Sequence, residues 1–579
     1  LGTGGTGGRG GTGGKGGGGG FGGGGGGGGG GGPGGAGGFG TTHTGNSGSP
    51  GAGGAGGGGG FGGGGGGFGS SAGGGASGTG GGGLGAGGDI FIQHGASLTI
   101  EGGTLDAGTV TGGTGANPGA FYGNGVFLEG NQSLTLAPGA GQTLTIAGVI
   151  ADMTGSKDAS GQTGAGSLLV NGAGTVVLSA DNTFTGGVTL TKGTLDLTAD
   201  GAGGDPASVW DESGGTLSVA AGDGMTFTGT GNVFSGTLAG AGTIDFDGGS
   251  DTLSGTDLSA PSGVFISGAT VALVGTTSLS DTLVATTPKI VIGAAGATLS
   301  GGGRLELTNA STNLVLGVSA SATLTNDDVI FGAGDLGDGQ MTLDNGATGI
   351  IEGDDSAALT INTGTKTILN AGEIIAVTAL TIDSPLDNTG VLYAVGGTLT
   401  AEGAITGAGH AEVEDAGTLI LKGAFNQNVN LAASSTGTLE LGDSKGYTTG
   451  AITGFSKTGT NSLDLLDIPF VSGTTTATYS GTTTSGVLTV KDGANVATIH
   501  LTGNYTTSTF TVSAATGGGT KVVDPDGAST PPHEAAPLSP HPFVAAMAGF
   551  GAPKAGAAAL DGAPWLTPAP MLAMPRVLA

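Results

Sequence analysis

Residues 172–198 read GAGTVVLSADNTFTGGVTLTKGTLDLT. Three short runs, TVVLS, GVTLT and GTLDLT, are each closed by Gly or a small polar residue, and no helix-forming stretch separates them. Apolar residues alternate inside the runs, Leu195 with Leu197 for example. A period of two is the mark of a strand that buries one face.

The same unit recurs along the chain. Gly-Thr-Leu occurs at 103, 193, 215, 236, 397, 417 and 437, and the last three copies are spaced by 20 and 20. With GTV at 174 included, the earlier group is spaced by 19, 22 and 21. A second register agrees, because GEIIAV at 372, GVLYAV at 390 and GHAEVE at 409 are 18 and 19 apart. The pairs Leu217 and Val219, Ile244 and Phe246, Leu419 and Leu421, and Leu439 and Leu441 repeat the alternation. A repeat near 20 residues that holds two or three strands and no helix fits one coil of a parallel β-helix. Leucine-rich repeats need a Leu-x-x-Leu-x-Leu frame that is absent, and propeller blades are about twice as long. The expected fold is therefore all-β, a right-handed parallel β-helix. One coil buries too little apolar surface to offset the entropy of ordering its backbone, so it needs hydrogen-bond ladders to the coils above and below. Residues 90–445 would give roughly 17 coils, and at ~4.8 Å per coil a rod of about 80 Å. Gly and Asn at GTGN (229–232) and DNG (344–346) supply the corners.

Composition divides the rest. Residues 1–88 are a Gly-rich low-complexity leader broken by Phe21, Phe39, Phe61 and Phe68, with only Arg9 and Lys15 charged. Gly loses the most freedom on ordering and brings no side chain to bury, so the leader is expected to be disordered, or else to form glycine-only packing. Its many GxGxxG matches carry no nucleotide signal without a preceding strand and a following helix, and GGTGGKG at 10–16 lacks the hydroxyl residue of a phosphate loop. The repeats fill 89–445. Residues 446–524 read as a small C-terminal β module with a hairpin signal at Asp492-Gly493, able to cover the open end of the solenoid. Residues 525–579, with PPHEAAPLSPHP, read as a Pro- and Ala-rich disordered tail.

Of 579 residues, 141 are Gly and none is Cys; charged residues are 10% and the net charge is −29. The charge argues against nucleic acid and against an anionic membrane surface. Missing Cys excludes disulfides and thiolate metal sites. No apolar run reaches the ~20 residues of a transmembrane helix. The chain starts at Leu1 rather than Met and shows no signal peptide, and is read as a fragment or a processed form.

The opening stretch closely resembles the autotransporter-associated β-strand repeat, G-x-G-T-L-x-L-S-G-x-N-T-Y-T-G-G-T-T-[IV]-x-x-G-T-L, with Phe184 at the usual Tyr and Ala180 at the usual Gly. GNGVFLEGNQSLTLAPGAGQTLTIAGVIADMTGS looks like the segment that precedes this repeat in large secreted proteins of proteobacteria. SLDLLDIPF and GNYTTSTFTVSAATGGGTKVVD resemble a terminal module of the same group. The resemblance implies a β-helical passenger exported to the bacterial cell surface, outer-membrane associated or released. The translocator barrel that usually follows is not present in this chain, so it lies elsewhere or export takes another route.

β-Helices also carry pectin lyase- and hydrolase-like enzymes. The residues such a reading would rest on are Asp327 and Asp328 in TNDDVIFG, with Asp354 and Asp355 27 positions on. The His and the basic pair that those enzymes also use are missing nearby, since His410 lies several coils away and Lys and Arg are scarce around 320–360. Adjacent Asp residues in an acidic chain are read instead as solvated corners, and no catalytic residue is assigned. The His residues are scattered, with no HExxH or HxH, so no metal site is expected. GGSDTLSGTD (248–257) and GAGDLGDGQ (332–340) echo calcium-binding nonapeptides without keeping their frame, so no cofactor is assigned and calcium stays the second choice. The function expected is a non-enzymatic passenger, adhesin-like or structural, whose partners are host or matrix glycans or proteins. A polysaccharide-active enzyme and a passive surface spacer are the alternatives.

Overall fold

The computed structural model describes residues 12–18, 21, 23, 25–30, 51–70, 76–260, 263–432 and 436–525. The tail expected at 525–579 therefore lies outside the described residues from 526 onward, as do Arg9 and Phe39. No helix occurs among the described residues. They form a β-solenoid of about 16 turns, in which each repeat read from the sequence contributes its strands to stacked parallel ladders.

The Gly-Thr-Leu strands stack in register. Thr143–Ile146, Thr175–Leu178, Thr194–Leu197, Thr216–Val219 and Thr237–Ala239 are hydrogen-bonded in parallel, each to the next. Leu144, Val176, Leu195, Leu217 and Leu238 line up on the inner side and are fully buried. Every pair picked out by alternation, from Leu195 and Leu197 to Leu439 and Leu441, faces that core. A neighbouring face carries Ser133–Leu136, Ser167–Val170 and Val188–Leu190. The two faces fuse where Thr270–Leu279 and Lys289–Ser300 run unbroken round the corner between them. Gly275, at φ +69°, makes that bend, a backbone region open to glycine at little cost. A third face runs in parallel from Gly224–Phe227 to Ala451–Thr453.

Amides knit the core lengthwise as well. Asn326 donates to Asn345, Asn345 to Asn370, and Asn370 to Asn388, at 2.8, 2.7 and 2.7 Å. Asn388 in turn donates to Gln427 at 2.7 Å. A buried amide costs free energy unless it is bonded, and stacking one per coil lets each satisfy the next.

The parallel ladder runs on to Ser462–Leu465. There it meets Thr520–Val523 in antiparallel pairing. On the third face Ala451–Thr453 pairs with Asn495–Thr502, which folds back on Ser485–Asp492 at the Asp492-Gly493 turn.

The described part of the Gly-rich leader takes the glycine-only alternative. Segments 12–18, 25–30, 51–60, 62–70 and 76–84, with 108–120 returning beside them, exchange backbone hydrogen bonds every third residue. Examples are Gly13 to Ala52 and Gly16 to Ala55, or Gly54 to Gly29 and Gly57 to Gly26. Segment 25–30 bonds to four other segments, which a β-strand with two edges cannot do. A three-residue period is that of a polyproline-II helix, and burial from Gly51 to Gly60 follows it, with Gly51, Gly54, Gly57 and Gly60 buried and Ala52, Ala55 and Gly58 exposed. Glycine is required here by closeness of approach. A Cβ on Gly57 would overlap the Gly17 carbonyl and come within 2.8 Å of Gly16 O, whereas one on Gly58 would meet nothing within 4 Å. Two of the leader's Phe residues, Phe21 and Phe61, anchor it. Phe21 stacks on Phe61 at 5.1 Å, and the buried Phe61 packs at 5.8 Å on Phe127 of the solenoid.

Candidate functional site

The most specific residues of the opening stretch, Asn182 to Thr185, form a corner that stands in for a strand on the third face. Asn182 Oδ1 accepts from Ile150 N at 2.7 Å and its Nδ2 donates to Ala202 O at 2.7 Å, which ties three coils together. Phe184 fills the core and is fully buried. The Thr185 amide and hydroxyl both donate to Asp152 Oδ2, at 2.6 and 2.8 Å. Asp152, itself fully buried, also accepts from Gly155 N and Gly166 N. The polar groups of Asn182, Thr185 and Asp152 are committed to backbone and to one another and Phe184 to the core, so these four residues build the solenoid. The sequence reading did not single out Asp152, whose partner lies 33 residues away.

The four carboxylates weighed for hydrolysis fall into two places. Asp327 and Asp328 precede the strand Val329–Gly332, and Asp328 accepts from Gly302 N at 2.7 Å. Asp354 lies by the backbone of Gly332, at the far end of that strand. Four residues of strand separate the pairs by about 13 Å. A paired acid and base that activate one water sit roughly 6.5–9.5 Å apart. Asp354 and Asp355 instead gather with Glu306 and Glu352, two residues that alternation placed on the outer face. Glu352 is only 2% exposed and its Oε2 has no hydrogen-bond partner. Burial pushes its carboxyl up to about 7, helped by the charge of Asp354, and burial also raises Glu306, Asp354 and Asp355. Just past these carboxylates Asn309 bonds Ser356 Oγ and the Ala357 amide, tying two corners together. The sign of a covered outer face was in the sequence: Ile375 and Tyr393 are apolar at outward positions and are buried.

Among the described residues no group of three or more His, Asp or Glu is placed to hold a metal ion. In the stretch 248–257, Asp251 points inward and is 1% exposed, bonded by Asn232 Nδ2 at 2.7 Å, while Asp257 lies outward on another face beside Thr237. In 332–340, Asp335 accepts from the Asp338 amide within its own turn. In neither stretch do three carboxylates come together to hold a cation.

What the solenoid offers to solvent is regular and mostly uncharged. Thr143, Thr175, Thr194, Thr216 and Thr237 form an outward column on successive strands, in register at about 4.8 Å intervals. Beside it Ser218 donates to Asp196 at 2.8 Å. Such a face can hydrogen-bond an extended partner. No curated protein matches the chain, and no solved structure does. Residues 168–197, the strands and the corner just described, match the family model described as passenger-associated-transport-repeat, and the chain thereby carries a repeat of the autotransporter passenger kind.

Proposed function

We propose that this protein is an exported, surface-displayed passenger that acts without catalysis, as an adhesin-like or structural rod. The observation that carries the reading is the passenger-associated repeat at 168–197 set in register within one continuous solenoid. Family membership of that repeat goes with secretion or surface association. A long stack of Thr-bearing rungs supplies many weak, repeated contacts, which suits attachment to glycans or proteins of a host or matrix. The separation of Asp327 and Asp328 from Asp354 and Asp355 supports the non-catalytic part.

The test is adhesion. Purified protein is expected to coat cells or abiotic surfaces, and a strain lacking it to attach less well; normal attachment together with no binding by the purified chain would end the adhesin reading. A reducing-end assay on pectic glycans, with Asp327→Asn and Asp328→Asn as controls, should show no turnover. Turnover lost in those variants would establish the enzyme instead.

A further inference from the structure

Between the returning glycine segment and the first coils lies a cleft of about 570 Å³, within the range of small-ligand pockets. It is where the repeat pattern is interrupted, and its walls differ from the rest of the surface. Phe121, in the short strand Phe121–Tyr122 beside Gly85–Ala86, lines it with a ring that is 61% exposed, unusual for a side chain of that size. The Tyr122 ring backs the cleft, its hydroxyl held by Asp158 at 3.0 Å. Opposite stand Thr109, Asn124, Ser156 and Thr183. Asn124 Oδ1 is held by the Val149 amide at 2.7 Å, which fixes the side chain, while its Nδ2 and the hydroxyls of Thr109 and Thr183 make no hydrogen bond to another described residue. No lining side chain is ionisable below the range of Tyr.

We propose that this cleft binds the ring of a neutral sugar, an inference that rests on the surface-passenger reading and names its ligand class. A pyranose has an apolar C–H face that packs on an exposed aromatic ring, and hydroxyl edges that pair with amides and hydroxyls. The cleft holds both kinds of group and nothing charged. A ligand carrying carboxylate or phosphate would find no cation there and would meet the field of a chain with net charge −29. A purely aliphatic ligand would leave Asn124, Thr109 and Thr183 desolvated without partners.

Frontal affinity chromatography on the full chain tests this, with neutral oligosaccharides of glucose, galactose and N-acetylglucosamine, uronic-acid and sialylated oligosaccharides, and a fatty-acyl probe. At least one neutral series should be retained and the acidic ones not. Phe121→Ala should weaken retention tenfold or more with unchanged thermal unfolding, because the ring is mostly exposed, and Thr183→Val should weaken it severalfold. Absence of retention at millimolar neutral sugar, equal retention by Phe121→Ala, or preference for the acyl probe would each overturn the inference. Surface display is scored separately, so a protein that is exported and adheres yet ignores neutral sugars removes this inference and leaves the passenger reading in place.

Discussion

Two neighbouring glycines in the leader should respond oppositely to the same substitution. Gly57 and Gly58 both lie in the segment 51–60 and neither has a positive φ. An alanine at 58 meets open space. It removes unfolded-chain freedom and is expected to stabilise the bundle by about 0.4–1 kcal/mol. An alanine at 57 drives its methyl into the Gly17 carbonyl, which is backbone and cannot rotate away. Segments 12–18 and 51–60 must then part, and the hydrogen bonds from Gly13 to Ala52 and from Gly16 to Ala55 go with them. Overpacking of this kind costs about 1–3 kcal/mol, and loss of the bonds adds to it. Global unfolding would be dominated by the solenoid, so hydrogen exchange at the Gly26, Gly54 and Gly66 amides is the suitable reading, each of them a donor across the bundle. Gly57→Ala should speed that exchange by about tenfold or more, the equivalent of ~1.4 kcal/mol, and Gly58→Ala should leave it equal or slower. Indistinguishable exchange in the two variants would refute close packing as the reason for the glycines.

Asp251 should make the solenoid less stable as pH rises. Burial pushes its carboxyl from 3.8 up to about 6, so the native state keeps a proton that the unfolded chain has lost, and stability falls between about pH 4 and 6 by roughly 3 kcal/mol. Asp251→Asn can still accept from Asn232 and should be nearly neutral at pH 4 but stabilising by about 2–3 kcal/mol at pH 7.5, read from urea midpoints; parallel pH profiles for the two proteins would contradict this. Asn370→Ala should cost about 2–4 kcal/mol, because it leaves the Asn388 amide oxygen without its donor and removes an acceptor from Asn345. Phe184→Ala should cost about 3–5 kcal/mol, seen as faster exchange at the Asn182 and Thr185 amides, since the ring is fully buried at the corner they form.

The solenoid was readable because its two signals are local. Leu at every second position marks the inner face, and the return of Gly-Thr-Leu after about 20 residues marks the coil. Asp251 was equally readable by parity, since it alternates with Leu253 on the buried side. The glycine bundle was harder. Its period is three, and a tract in which inner and outer positions are both Gly hides that period except where Ala52 and Ala55 take the open positions. Glu352 shows where alternation and exposure part: it sits at an outward position and yet is only 2% exposed. The local trace of a buried outer face is faint: Ile375 and Tyr393, apolar at the outward positions that follow Glu352 on the ladder.

The antiparallel ending has a consequence for the molecule in bulk. A stack of parallel rungs left bare would template the addition of further rungs from other molecules, much as a growing fibril does. Here Thr520–Val523 and the folded-back pair after Thr453 reverse the polarity on two of the faces, and their uneven bond spacing does not match an incoming parallel strand. At that end the length of the rod is therefore set by the gene and not by concentration.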